Sequence, residues 1–251
     1  MSPSPGADMS GSDRETGRST GVITFLDVLG WKGIYAREKT PLKKMFRLID
    51  DIRDAASLFG SERHQVRSIS DTIVLYSKIT DVSRATITST VGIHGHVCAK
   101  AIVTSIGENI PVRGATAVGE FEVDGNVYVG KAIDEAASWF ESADWIGVHL
   151  TPSASFTVDG ELLLLDDNHP LSPWANYEPP VKNMPRHHAP CVAWVDAWRK
   201  SVPLDQDPRQ QLLLMFSEMG PITPDFAMKF VNTLKYFDDI AARQKSKTTS
   251  E

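Results

Sequence analysis

Cysteine is scarce in this chain. Cys98 and Cys191 are the only two in 251 residues, too few for a disulfide framework. Both are expected as small buried apolar side chains. No apolar run reaches the roughly 18 residues that a membrane span requires. The opening stretch MSPSPGADMSGSDRETGRSTG is polar and has no signal-peptide core. The chain is therefore expected to be cytoplasmic, with no membrane segment. Basic charge is also short: 26 Lys and Arg stand against 32 Asp and Glu, a formal charge of -6. No clustered basic surface suggests DNA or RNA as a partner. A small nucleotide needs only a local site, where a metal can supply the positive charge. There is no P-loop, no dinucleotide-binding pattern and no internal repeat. His94 and His96 stand two apart on a predicted helix and face different ways, and His187-His188 adds only a pair. No zinc site is expected from them.

What is present is core material, since 41% of the residues are hydrophobic. Gly21–Val28 is apolar on both faces, as a central strand is. Pro41–Leu58 has the helical spacing, with Pro41 in the first turn. Val66–Ile69 and Thr72–Tyr76 form a hairpin around Ser70–Asp71. A long helix over Val82–Ile106 leads to a strand over Ile110–Gly119. Asp124-Gly125 is a turn between strand pieces. A helix over Lys131–Ser142, a strand over Trp145–Leu150 and a hairpin over Phe156–Leu165 around Asp159-Gly160 follow. Leu171–Pro190 is Pro-rich, and Cys191–Trp194 is a last strand. Two amphipathic helices, Pro208–Met219 and Pro224–Arg243, close the chain. The expected division is a tail over 1–20, a catalytic domain over 21–200, C-terminal helices over 201–243 and a tail over 244–251. The expected class is α+β, with a mixed or antiparallel sheet and helices packed on it.

Two carboxylates carry the chemistry. Asp27 ends the first, buried-looking strand in FLDVLGW, and Asp71 sits in the hairpin turn of ISDTIVLY. In a ferredoxin-like arrangement the first strand lies beside the hairpin, so both side chains reach one end of the sheet. Converged carboxylates repel unless a cation lies between them. Mg²⁺ takes hard oxygen ligands of this kind, often together with substrate phosphates. The backbone N–H groups of VLGWKG, from Leu29 through Gly30 to Trp31, are candidates to cradle phosphates.

Four stretches in order resemble the class III nucleotidyl cyclase family, the adenylate and guanylate cyclase catalytic domain. FLDVLGW resembles the first metal-aspartate motif. ISDTIVLY resembles the second, normally Gly-Asp. VRGATAVGE at Val112–Glu120 and VYVGKAIDEAASWFESA at Val127–Ala143 resemble the strand, turn and helix that follow. The resemblance spans about Gly21–Leu150. It implies that Asp27 and Asp71, with the Val28 carbonyl, hold two Mg²⁺ or Mn²⁺ ions around a nucleoside triphosphate. It also implies cyclisation with loss of pyrophosphate, and a homodimer whose sites lie at the interface.

The departures from the family matter as much. The helix after YVG normally carries an Asn and then a transition-state Arg; here those places hold Asp134 and Ser138. Arg113, Lys131, Lys182 and Arg186 are the candidate replacement cations. The family's adenine-reading Lys and Asp fall on Arg67 and Val127. Arg67 is a donor suited to a carbonyl of the base, and Val127 cannot accept from an adenine amino group. Those features are similar to the bacterial pyrimidine cyclases of antiphage signalling. The resemblance implies UTP as substrate, cyclic UMP as product and a separate effector that senses it. A cytidylate or purine cyclase remains an alternative. So do a phosphohydrolase using the same metal pair and an inactive cyclase-fold module that senses a nucleotide or binds a protein.

Overall fold

The computed structural model describes residues 17–164, 172–219 and 223–248. Its first half runs β1 (Ser19–Val28), α1 (Pro41–Ser57), β2 (His64–Ile69), β3 (Thr72–Ile79), α2 (Arg84–Gly107) and β4 (Val112–Asp124). That is the β-α-β-β-α-β order of a ferredoxin-like unit. The strands pair as β2-β3-β1-β4, with β1 antiparallel to both β3 and β4. The sheet then continues through β6 (Val148–Leu150), β8 (Ala189–Val192) and β7 (Trp174–Tyr177), while β5 (Val127–Val129) folds back on β4. β6 is parallel to β4, so the sheet is mixed.

The sheet separates two cores. One face carries Val22, Leu26, Ile73, Leu75 and Val112 against α1 and α2. The other carries Ile23, Phe25, Val74, Tyr76 and Ala117 against α3 (Lys131–Ser142), whose Phe140 stacks on Phe25 at 5.8 Å. Strand periodicity explains the division: even positions of β1 point to one face and odd positions to the other. Asp27 is odd, so it shares a face with Phe25 and α3. Cys98 and Cys191 are both buried and free, as expected.

The first core holds a chain of polar groups. Thr116 bonds Thr24 at 2.7 Å, Thr24 bonds His94 Nδ1 at 2.9 Å, His94 Nε2 bonds Ser77 at 2.9 Å, and Ser77 bonds His64 at 2.7 Å. It crosses β4, β1, α2, β3 and β2. Gly95 in the same helix lets Trp174 approach closely enough to donate its Nε1 hydrogen to the Val91 carbonyl at 3.1 Å.

Several boundaries differ from expectation. Ser19 and Thr20 belong to β1, and α8 (Pro224–Thr248) runs past Gln244, so both tails are shorter than read. Residues 1–16 and 249–251 lie outside the described residues. The expected hairpin over Phe156–Leu165 is instead α4 (Pro152–Thr157) and α5 (Gly160–Leu164); Leu165 lies outside the described residues. Asp159 is a helix cap, its carboxylate accepting from the Glu161 and Leu162 N–H groups at 3.1 and 3.2 Å. The strand begins at Val148, not Trp145, because the Ile146 N–H leaves the ladder for the Thr233 hydroxyl at 2.8 Å. Sequence periodicity missed α6 (Val195–Ser201), which is under two turns long.

The C-terminal helices α7 (Pro208–Glu218) and α8 are part of the main core. Phe230, Tyr236, Phe237 and Ile240 are buried in it, and the Tyr236 hydroxyl donates to the Val192 carbonyl at 2.7 Å. Among the described residues no helix is long and apolar enough to cross a membrane.

The two-residue turn Ser70–Asp71 carries local strain, for Ser70 has φ 56. A left-handed backbone costs an L residue roughly 1 kcal/mol more than glycine. Ser70→Gly is expected to raise stability by about that amount, read as a higher urea midpoint with an unchanged slope.

Candidate active site

Backbone pairing brings the two carboxylates together. Asp27 lies opposite Thr72 on β3, so the hairpin turn abuts the end of β1. The Val28 N–H then donates to the Asp71 carbonyl at 3.1 Å and fixes the turn there. The Asp71 carboxylate is near enough to push up the Asp27 pKa, as is Glu141. Burial is the largest cause of that rise, and Arg113 opposes it.

Arg113 is Asp27's direct neighbour across the β1–β4 ladder. Its Nε donates to Asp27 Oδ2 at 3.0 Å, and its Nη1 donates to the carbonyls of Glu141 at 3.0 Å and Ala143 at 2.8 Å. The side chains of the pair are 14% and 17% exposed. The guanidinium thus ties the end of α3 to the first strand.

The other sequence candidates fall into three groups. Lys182 comes to the carboxylate end: its N–H donates to the Ser142 carbonyl at 2.9 Å, and Val181 bridges Ala143. Asp134 and Lys131 lie in the first turn of α3, at the end remote from Arg113. Seven residues separate Asp134 from Glu141, about 10 Å along the helix. Within one chain, then, Asp134 does not join Asp27 and Asp71. Arg186 lines a different cleft of about 410 Å³, between the β7–β8 connection and α8, with Tyr177, Lys235 and Arg243. Arg67 and Val127 are both exposed, and Arg67 acts electrostatically on Tyr128, the residue after Val127.

One N–H group of the expected phosphate cradle is already engaged. The Leu29 N–H is spent on the Pro111 carbonyl at 2.8 Å, and Val28 serves Asp71. Gly30 does turn through the left-handed region, at φ 72, with its carbonyl accepting from Arg37 Nη2 at 2.9 Å. Trp31 packs against the main core. Arg37, which also reaches the Asn109 carbonyl at 3.3 Å, and Glu141 had no signal in the motifs. The antiparallel pairing of β1 with β4 is the signal that would have coupled Arg113 to Asp27.

The donor type suits a hard divalent cation: two carboxylates at one end of the sheet, with Asp27 raised in pKa by burial first and by Asp71's charge to a lesser degree. Among the described residues no three His, Cys, Asp or Glu side chains cluster as a metal site.

No family model matches the sequence, and no curated protein matches it. Solved structures do match. The adenylyl cyclase CyaB from P. aeruginosa is similar over 72% of this chain and 96% of its own, with 12% identity and a TM-score of 0.50. The catalytic core of a rhodopsin-guanylyl cyclase with converted specificity, solved with ATPαS, is similar over 71% of this chain and 98% of its own, with 13% identity and a TM-score of 0.49. The strand order and the first of these likenesses show that the chain has the class III nucleotidyl cyclase fold, followed by a C-terminal helical segment.

Proposed function

We propose that the protein is a metal-dependent nucleotidyl cyclase, converting a nucleoside triphosphate to a 3′,5′-cyclic nucleotide and pyrophosphate. The observation that carries this reading is the meeting of Asp27 and Asp71 at one end of the sheet, on the fold that cyclases use. Asp27, Asp71 and the Val28 carbonyl would hold Mg²⁺ or Mn²⁺. An ion there supplies charge against the triphosphate and acidifies the ribose 3′-hydroxyl, whose oxygen attacks the α-phosphorus.

The chain's own residues have separate tasks. Asp27 and Asp71 bring negative charge to one point, and burial makes that charge costly until it is compensated. Lys182 is the cation best placed for phosphate, since its backbone sits at the carboxylate end. Asp134 stands apart from that end, and Arg67 and Val127 are exposed, so a second copy of the chain would supply them. A homodimer with sites at its interface does this in symmetric fashion. Val127 and Val129 on the exposed β4–β5 arm are 64% and 62% exposed, and they offer apolar surface for such a contact. We favour UTP, giving cyclic UMP for a separate effector in antiphage signalling, because Arg67 is a donor and Val127 offers no acceptor.

A second reading is an inactive nucleotide-binding module. Ser138 in place of an Arg, and an Arg113 already engaged with Asp27, favour it. The test is direct. Purified protein is incubated with each of the four nucleoside triphosphates and Mn²⁺ or Mg²⁺, and the products are weighed by mass spectrometry. A cyclic monophosphate with pyrophosphate is expected, foremost from UTP. Binding without product supports the inactive module, and release of linear products supports a phosphohydrolase.

A further inference from the structure

The geometry points to Arg113 as a fixed internal cation that limits Asp27 to a single divalent ion. This inference rests on the cyclase reading above and concerns the number of ions that Asp27 can serve.

A carboxylate that bridges two ions uses both oxygens. Here Asp27 Oδ2 accepts from Arg113 Nε at 3.0 Å. Oδ2 keeps a second lone pair, but an ion placed on it would sit against a fixed positive charge in a largely buried spot. Arg113 is not free to withdraw. Its Nη1 is held by the Glu141 and Ala143 carbonyls, at 3.0 and 2.8 Å, so three acceptors fix its plane. Those contacts leave Oδ1 as the oxygen of Asp27 open to a metal.

Arg113 already supplies one fixed positive charge at Asp27. An ion that arrives with a triphosphate would then be held by phosphates rather than through Asp27. Arg113 is accordingly a positioning residue that takes the place of the second cation.

The test counts ions without turnover. Mn²⁺ alone is titrated into the purified protein at millimolar concentration and followed by electron paramagnetic resonance. The wild type is expected to bind one Mn²⁺ per chain, with no exchange coupling between ions. Arg113→Met is expected to bind two, with the broadened spectrum of a coupled pair. Arg113→Lys keeps the charge and is expected to stay at one. Arg113→Gln provides a second neutral variant that can still hydrogen-bond the α3 carbonyls. Two coupled ions in the wild type, or one ion in every folded neutral variant, would overturn the inference and leave the cyclase reading standing. No bound ion in the wild type would overturn the inference and leave the cyclase reading to the product assay. Should neither neutral variant fold, the wild-type count decides.

Discussion

Asp27→Asn is expected to cut cyclase turnover by about three orders of magnitude while leaving the fold intact. The substitution keeps the shape of the side chain and an oxygen that can accept from Arg113 Nε, now at 3.0 Å from Asp27 Oδ2. It removes the charge that would hold a metal ion. Loss of one preorganised charge-stabilising group costs about 10²–10³ in turnover, and here the ion would be lost with its ligand. Stability should move little, because two effects oppose. The ion pair with Arg113 weakens, but the burial cost and the repulsion from Asp71 and Glu141 vanish. Asp71→Asn is expected to match it in turnover. Steady-state rates with Mn²⁺ and circular dichroism melts of the same samples check both halves. Retention of more than a tenth of wild-type turnover in either variant would contradict the metal assignment.

His94→Leu is expected to destabilise the protein by about 3 kcal/mol, the largest stability effect among these substitutions. His94 is fully buried, and both ring nitrogens are bonded, to Thr24 and Ser77 at 2.9 Å each. Leucine removes both of these buried hydrogen bonds, each worth about 0.5–1.5 kcal/mol, and breaks the polar chain in two, with Thr24 left on Thr116 and Ser77 on His64. The same burial makes the fold sensitive to acid. The His94 pKa is pushed down to about 3, mainly by desolvation, and His149 is pushed down to about 3 in the same way. Each is neutral in the fold and becomes protonated on unfolding below about pH 6.5. Their contribution is therefore complete above that pH and is lost as pH falls toward the folded value. The expected loss is about 1.4 kcal/mol per pH unit for each histidine. Asp27 works in the opposite sense, since its raised carboxyl favours the fold at low pH.

His149 provides the contrast. Neither of its ring nitrogens has a hydrogen-bond partner, and its ring meets Trp139 edge-on at 5.7 Å. His149→Leu therefore strands nothing. It is expected to hold or raise stability at pH 7 and to lower the acid slope between pH 6 and 4 by about 1.4 kcal/mol per pH unit. Urea denaturation at those pH values separates the two histidines. Equal losses from the two substitutions would show that the polar chain through His94 contributes nothing beyond packing.

The sequence made the sheet legible where burial and turn chemistry coincide. Gly21–Val28 and the Ser70–Asp71 hairpin are strong patterns, because an apolar run on both faces and a two-residue turn each have few alternatives. Lys131–Ser142 matches its helix residue for residue. The failures have physical causes. Asp159-Gly160 has the composition of a hairpin turn, but the carboxylate caps a helix. Trp145 and Ile146 have strand composition, but Tyr236 and Thr233 of α8, far along the chain, draw them out of the ladder.

The site was legible in its acids and illegible in its cation. Asp27 and Asp71 announce themselves by standing at strand and turn ends. Arg113 reads as one basic residue in a strand until the β1–β4 register sets it against Asp27. Local propensity carries no register across 86 residues. Leu29 is similar, since only the pairing of its N–H with the Pro111 carbonyl removes it from the phosphate cradle.

The most direct test is crystallographic. Crystals grown with Mn²⁺ and a 2′,3′-dideoxynucleoside triphosphate, which lacks the attacking hydroxyl, would be measured at the manganese absorption edge. An anomalous peak within ligand distance of both the Asp27 and Asp71 carboxylates, against the triphosphate, is the predicted result. Bound nucleotide with no manganese at either carboxylate would contradict the account.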